Sequence, residues 1–483
     1  MDTSGAANPF QNLERNARDA PNAAFLKTSK QTITNSAALT QVKQLAFELR
    51  RLGVTPGQTI ALDLPEVLTL LFVEAAFHEA AISTTLPAGY NPDSSFALDW
   101  FFTNREDAQV PAGSQRVLVD GRFLRQVQQN PYGIQPFAYA SADDIVWVVF
   151  SSGTTGRPNA IPIYVGTLND FELSSHEPWV ERGDVISFLP AKTPLGLFLF
   201  ANCVAKGIPF LAIGDNIPAE SVRLVAGSGV RTFVMSPAQV AAFVGELEAT
   251  DSTLPQVEVV FTVGSAMSPE LNTRMRAATE GCEIFSVYAS TEAGVAAVRP
   301  YDSDDPFDLG QVRKPGEVEI VDDEDSPVPL GEVGRIRYRS PFRTRIYLGD
   351  PELTAEVWLG DWFYPGDLGS LRPDGGLTFA GRASEIINAG GLKVNPVRLD
   401  QFATGYPGVM DAASFGVETA AGILEVGIVL VTIDGFDVQP LLTAFESEFG
   451  PAAPKMVARV AEIPRNAMGK PLRRVLADEY RGR

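Results

Sequence analysis

Residues Ser151-Ser152-Gly153-Thr154-Thr155-Gly156-Arg157 follow the apolar run Val146-Trp147-Val148-Val149-Phe150. A short apolar run bounded by turn residues predicts a buried strand. In the loop after it, glycine lets backbone N–H groups converge, and the hydroxyls add donors. Such a loop suits phosphate oxygens, although it lacks the Gly-Lys-Ser/Thr ending of the common P-loop. Further segments hold groups for the same kind of chemistry. Tyr288-Ala289-Ser290-Thr291-Glu292 offers an aromatic face, hydroxyls and a carboxylate for a hard cation. Tyr364-Pro365-Gly366-Asp367 and Gly381-Arg382 offer an acceptor and a cation. Gly390-Gly391-Leu392-Lys393 and Asn466-Ala467-Met468-Gly469-Lys470-Pro471 each place a lysine close after glycine. Each has an ordinary alternative: Glu292 as a helix N-terminal acid, Asp367 as a turn residue, Lys470 as a solvated loop lysine.

The elements that must carry these residues alternate. Residues 36–53 have helical periodicity and 59–62 read as a strand. Residues 65–81 read as a helix with Leu68, Leu71, Phe72 and Ala76 on one face. Strand-like 233–235 precedes helix-like 237–250, and strand-like 257–263 precedes helix-like 269–279. Such alternation predicts layered α/β architecture with largely parallel sheets. Residues 310–380 are short strands between Gly, Pro and Asp, a small β-rich subdomain. Strand-like 428–433 and helix-like 440–449 predict a small α+β domain at the C-terminus.

A chain of 483 residues exceeds one simple core and predicts two or more domains. Its net charge of −20 disfavours nucleic acid and anionic membrane as partners. A small anion site remains possible, built from a few donors and a metal. Two cysteines, Cys203 and Cys282, cannot make a disulfide framework and fit a reducing compartment. With only His78 and His176, a histidine metal site or a Ser/His/Asp triad has little support, and His78 reads as an ordinary helix residue. The N-terminus lacks the pattern of a signal peptide, and the apolar stretch 195–205 is too short to span a bilayer. A cytoplasmic location is expected.

In type, order and spacing these segments resemble the adenylate-forming superfamily: acyl-CoA synthetases, luciferases and the adenylation domains of peptide synthetases. The resemblance covers roughly residues 35–475. It implies an N-terminal AMP-binding domain (1–382), including the β-rich subdomain, and a mobile C-terminal domain (383–483) hinged near Ser384. It implies ATP, Mg²⁺ and CoA, or a carrier protein's phosphopantetheine, and a two-step reaction. A carboxylate attacks the α-phosphate of ATP, pyrophosphate leaves, and a thiol or amine then takes the acyl group from the adenylate.

The resemblance assigns the β- and γ-phosphates to Ser151, Ser152, Gly153, Thr154, Thr155 and Gly156. Mg²⁺ falls to Glu292 with Thr154, and the α-phosphate to Thr291. Tyr288 would stack on adenine, with Ala289 and Ser290 beside it and Gly264, Ser265 and Ala266 along the opposite face. Asp367 and Arg382 would hold the ribose, Lys470 would bridge the substrate carboxylate and α-phosphate, and Lys393 would enter for the second step. Lys192, Thr193, Leu195 and Val263 would line the acid pocket.

Three departures stand out. The phosphate loop ends Pro158-Asn159 where the family pattern has Pro-Lys, so a cation is missing. Ala289 adds a methyl where the family pattern has Gly. The segment Leu189-Pro190-Ala191-Lys192-Thr193-Pro194-Leu195-Gly196 lacks the aromatic and histidine of many acyl-CoA synthetases, and Lys192 is placed to meet a second polar group on the acid or to point to solvent. Ordinary α-amino acids are disfavoured, since the acidic partner for an α-amino group has no clear match. The leading expectation is an acid–CoA ligase. The alternatives are a stand-alone enzyme that loads a carrier protein or an amine, and a non-catalytic nucleotide-binding regulator.

Overall fold

The computed structural model describes residues 8–86, 96–151, 158–173, 185–187, 189–190, 192–213, 219–264, 267–301, 307–313, 316–340, 344, 346–420, 422–465 and 471–482. Ser152, Gly153, Thr154, Thr155, Gly156, Ser265, Ala266 and Lys470 lie outside the described residues. The chain divides into two compact units. The first comprises 1–303, 312–317 and 338–363, and the second 304–311, 318–337 and 364–483.

The first unit contains a six-stranded sheet. Its strands are β1 (Thr59–Asp63), β2 (Ile82–Thr85), β3 (Trp100–Thr103), β4 (Gln115–Leu118), β5 (Ile145–Ser151) and β6 (Asn159–Tyr164), in the order β4-β3-β1-β2-β5-β6. Five are parallel and β6 turns back antiparallel on β5. Helix α1 (Asn35–Leu52) is capped by the Thr34 hydroxyl and stops at Gly53, whose φ of 100° few other residues tolerate. Helix α2 (Glu66–Glu79) differs from its expectation. Every residue from Thr69 to Glu79 is buried, not one face only. A helix buried on all sides belongs inside a layered domain. Phe72, Phe77, Trp147 and Phe200 centre this core.

The unit's second set of strands runs β7 (Val185–Ser187), β8 (Thr232–Met235), β9 (Val259–Val263) and β10 (Glu283–Ser290), all parallel, with β11 (Gly294–Pro300) antiparallel to β10. Helix α3 (Pro194–Lys206) supplies Leu195 and Leu199 to a cluster with Phe261, Val263 and Val287. Helix α4 (Pro237–Ala249) has a complete capping box of Ser236 and Gln239, with Pro237 in its first turn.

In the second unit, β12 (Asp367–Leu371) and β13 (Gly376–Arg382) form a hairpin in which Asp367 faces Arg382. A single 3₁₀ turn, Ala383–Glu385, contains Ser384. Then follow the hairpin β14 (Ile387–Ala389) and β15 (Leu392–Val394), helix α5 (Pro396–Thr404), and β16 (Val409–Glu418) antiparallel to β17 (Leu424–Thr432). Strand β18 (Met456–Arg459) lies parallel to β17. Alternation along β17 sorts the core. Ile428 and Leu430 pack with Leu399 of α5, and Val429 packs on the other side with Leu476.

Candidate active site

Parallel strands bring their C-terminal ends to one edge, where open α/β sheets bind ligands. Three motif segments lie at such ends. The 152–158 connection follows β5 and returns into β6, and Ser151 pairs with Asn159 at its root. Gly264 follows β9 with a φ of 93°, and Tyr288 lies near the end of β10. Val263 pairs with Val287, so Gly264 and Tyr288 follow adjacent positions on neighbouring strands. That is the placement expected of two segments facing one flat ring.

Glu292 sits in the turn between β10 and β11, not at a helix start. The helix N-terminal alternative is therefore excluded by the local structure. Ser290 shapes this turn: its hydroxyl accepts from the Ala293 N–H at 3.1 Å and from the Tyr338 hydroxyl at 2.6 Å. Gly294 closes the turn with a φ of 71°. Ala289 is exposed, and Thr291 is half-buried with no hydrogen bond among the described residues.

Glu292 is 7% exposed. Its Oε1 accepts a hydrogen bond from the Tyr347 hydroxyl at 2.8 Å, and Oε2 has no partner among the described residues. Burial, with the Glu292 charge beside it, pushes the Tyr347 hydroxyl well up, so it stays protonated and donates. The Asn159 side chain acts on the same hydroxyl in the sense that opposes this rise. Backbone bonds fix the Tyr347 segment: the Thr344 N–H donates to the Glu292 carbonyl at 2.8 Å, and Leu348 N–H to the Ala160 carbonyl at 2.8 Å. Tyr338, Thr344 and Tyr347 were not legible as site residues, because no local pattern ties them to Glu292.

A hard divalent cation fits this carboxylate. Mg²⁺ keeps several waters and takes one or two protein carboxylates plus phosphate oxygens. Glu292 presents one buried carboxylate, and among the described residues no group of three His, Cys, Asp or Glu could enclose a metal.

The residues expected to line the acid pocket separate into two kinds. Leu195 and Val263 belong to one apolar cluster, where Phe261 and Phe285 stack with ring centres 5.2 Å apart. The Thr193 hydroxyl is committed to the fold: it donates to the Pro190 carbonyl at 2.7 Å and accepts the Gly196 N–H at 3.2 Å, capping α3. Lys192 is exposed, and its carbonyl accepts from the Thr85 hydroxyl at 2.9 Å.

In the second unit, Asp367 is 4% exposed and begins a strand, so it is more than a turn residue. Its Oδ1 lies 3.1 Å from Arg382 Nε. Lys393 is exposed on β15. Gly390 and Gly391, with φ of 58° and 86°, form the two-residue turn of that hairpin. Positive φ at both central positions is what a type I′ turn requires. His78 is buried, bonded through Nδ1 to Glu79 Oε1 at 2.7 Å and packed edge-on to Phe10. Cys203 and Cys282 are buried, and neither forms a disulfide. Among the described residues no helix is long and apolar enough to cross a membrane.

Residues 13–348 match the family model described as AMP-binding enzyme. The chain is 29% identical over 366 residues to the fatty acid–[acyl-carrier-protein] ligase MmaC of Mycobacterium marinum, covering 70% of this chain and 68% of that one. It is 26% identical over 496 aligned positions to a feruloyl-CoA synthase of Amycolatopsis, covering 95% and 96%. The structure of ATP-bound MatB from Rhodopseudomonas palustris superposes with a TM-score of 0.83 at 21% identity, covering 98% of each chain, a likeness of fold. The chain belongs to the AMP-binding enzyme family, the adenylate-forming acid ligases.

Proposed function

We propose that this protein joins a carboxylic acid to AMP with release of pyrophosphate, and then transfers the acyl group to the thiol of CoA. The buried Glu292 carboxylate, whose Oε2 has no partner among the described residues, carries this reading. Such a group suits a cation that accompanies ATP. In the first step the acid's oxygen attacks the α-phosphorus and the bond to pyrophosphate breaks. When bound on Glu292, Mg²⁺ neutralises charge on the phosphate oxygens. Thr291 donates its hydroxyl to the α-phosphate, and Lys470 holds the acid carboxylate against it as a compact point charge. Tyr288 stacks on adenine, and Asp367 and Arg382 hold the ribose hydroxyls. Leu195 and Val263 line the pocket for the acid's apolar portion.

In the second step the thiol attacks the acyl carbon and AMP leaves. The C-terminal segment turns about Ser384 between the steps, bringing in Lys393. A feruloyl-CoA synthase matched along almost the whole chain supports CoA as acceptor. A carrier-protein thiol is the second reading, favoured by the likeness to an acyl-carrier-protein ligase. The deciding experiment measures pyrophosphate release from Mg-ATP with short, medium and long fatty, aryl and dicarboxylic acids, each with and without CoA. CoA-stimulated turnover with acyl-CoA formed supports the proposal. Turnover indifferent to CoA moves the acceptor to a carrier protein or amine. No release with any acid, together with no ATP binding by calorimetry, overturns it.

A further inference from the structure

We propose that Tyr347 is a positioning residue for the Glu292 carboxylate. The Tyr347 O–H donates to Glu292 Oε1 at 2.8 Å. The inference rests on the reading of Glu292 as the cation's carboxylate and adds how that carboxylate is aimed.

A phenol has one proton. Left alone, it rotates to whichever acceptor is near. Here the acceptor is the Glu292 carboxylate, and the proton is committed to Oε1. Pinning Oε1 leaves the orientation of Oε2 settled before any ligand arrives, and the ordering cost is met during folding. Outer-shell partners of this kind orient metal-binding carboxylates elsewhere.

Tyr347 owes its own place to the backbone, not to its hydroxyl. The Leu348 N–H donates to Ala160 of β6 at 2.8 Å, the Thr344 hydroxyl to Pro162 of β6 at 3.1 Å, and the Thr344 N–H to the Glu292 carbonyl at 2.8 Å. The same short segment thus ties the root of the phosphate loop to the turn that carries Glu292.

The test measures Mn²⁺ binding by electron paramagnetic resonance, on the full chain with a non-hydrolysable ATP analogue, for wild type, Glu292→Gln, Tyr347→Phe, Tyr347→Met and the Tyr347→Phe/Glu292→Gln double variant. Losing an outer-shell partner costs about 10- to 100-fold in metal affinity. Tyr347→Phe is expected to weaken Mn²⁺ about tenfold, with thermal stability close to wild type. Tyr347→Met, which also lacks the donor, should weaken it in the same direction. In the Glu292→Gln background Tyr347→Phe should have no further effect. Wild-type Mn²⁺ affinity in Tyr347→Phe, or an equal loss in both backgrounds, overturns the proposal while leaving Glu292 in place. Wild-type affinity in Glu292→Gln instead removes the underlying reading. Should Tyr347→Phe fail to fold, Tyr347→Met decides, and unchanged affinity there refutes the proposal.

Discussion

Replacing Asp367 by Asn separates a structural carboxylate from a ribose-binding one. Asp367 is 4% exposed, with Oδ1 3.1 Å from Arg382 Nε, whereas the Arg382 side chain is 30% exposed. Breaking a fully buried ion pair costs about 3–5 kcal/mol. Arg382 can turn toward water, so the stability loss in Asp367→Asn should be nearer about 2 kcal/mol. The binding loss is worked out separately. A hydrogen bond to a charged group is worth about 1.5–3 kcal/mol and a neutral one about 0.5–1.5. Two ribose hydroxyls facing an amide instead of a carboxylate therefore lose about 2 kcal/mol in total, or about 30-fold in affinity. Calorimetry with ATP and with 2′,3′-dideoxy-ATP isolates that part. Asn should weaken ATP about 30-fold relative to wild type and leave dideoxy-ATP almost unaffected. An equal loss for both nucleotides would mean that Asp367 acts through the fold alone, and the ribose assignment would fall.

Other consequences are as specific. A Cβ at Gly196 would lie 2.1 Å from the Pro190 carbonyl oxygen, a backbone atom, so Gly196→Ala should destabilise by about 3 kcal/mol or more in a denaturation curve. The hydrogen bond from Arg51, aided by Asn130, holds the Glu48 carboxyl below the usual range. Its stabilising share is therefore complete above the unfolded glutamate pKa and fades as pH falls through the folded one. Thermal melts of wild type and Glu48→Gln should differ at pH 7 and converge as pH drops below about 4. The joint substitution Gly390→Ala/Gly391→Ala strains a turn with positive φ at both positions. Rapid quench should then show the pyrophosphate burst unchanged and thioester formation slowed; a slowed burst would place the hairpin in the first step instead.

Local signals in the chain forecast local structure well. Thr34 and Gly53 bound α1, and Ser236-Pro237 opens α4, because capping and proline geometry act within a few residues. The helix at Glu66–Glu79 was legible, but not its burial on every side, which depends on neighbours from distant sequence. Gly390-Gly391 was legible as a conformational requirement. Which requirement, a two-residue hairpin turn, emerged only from the pairing of Ala389 with Leu392. The carboxylates Glu292 and Asp367 stood out by type and spacing. Tyr347, far along the chain from Glu292, did not, since a single hydrogen bond across such a separation leaves no periodic trace. Thr193 shows the converse. Its expected place is the lining of the acid pocket, and its hydroxyl in addition caps α3.

The central claim is that an acid's own oxygen attacks the α-phosphorus of ATP. The most direct measurement uses the acid found by the substrate panel, labelled with ¹⁸O in its carboxylate, followed by mass spectrometry of the nucleotide after one complete turnover. The account predicts AMP carrying one ¹⁸O and unlabelled pyrophosphate. Unlabelled AMP, or ADP with labelled inorganic phosphate, would contradict it.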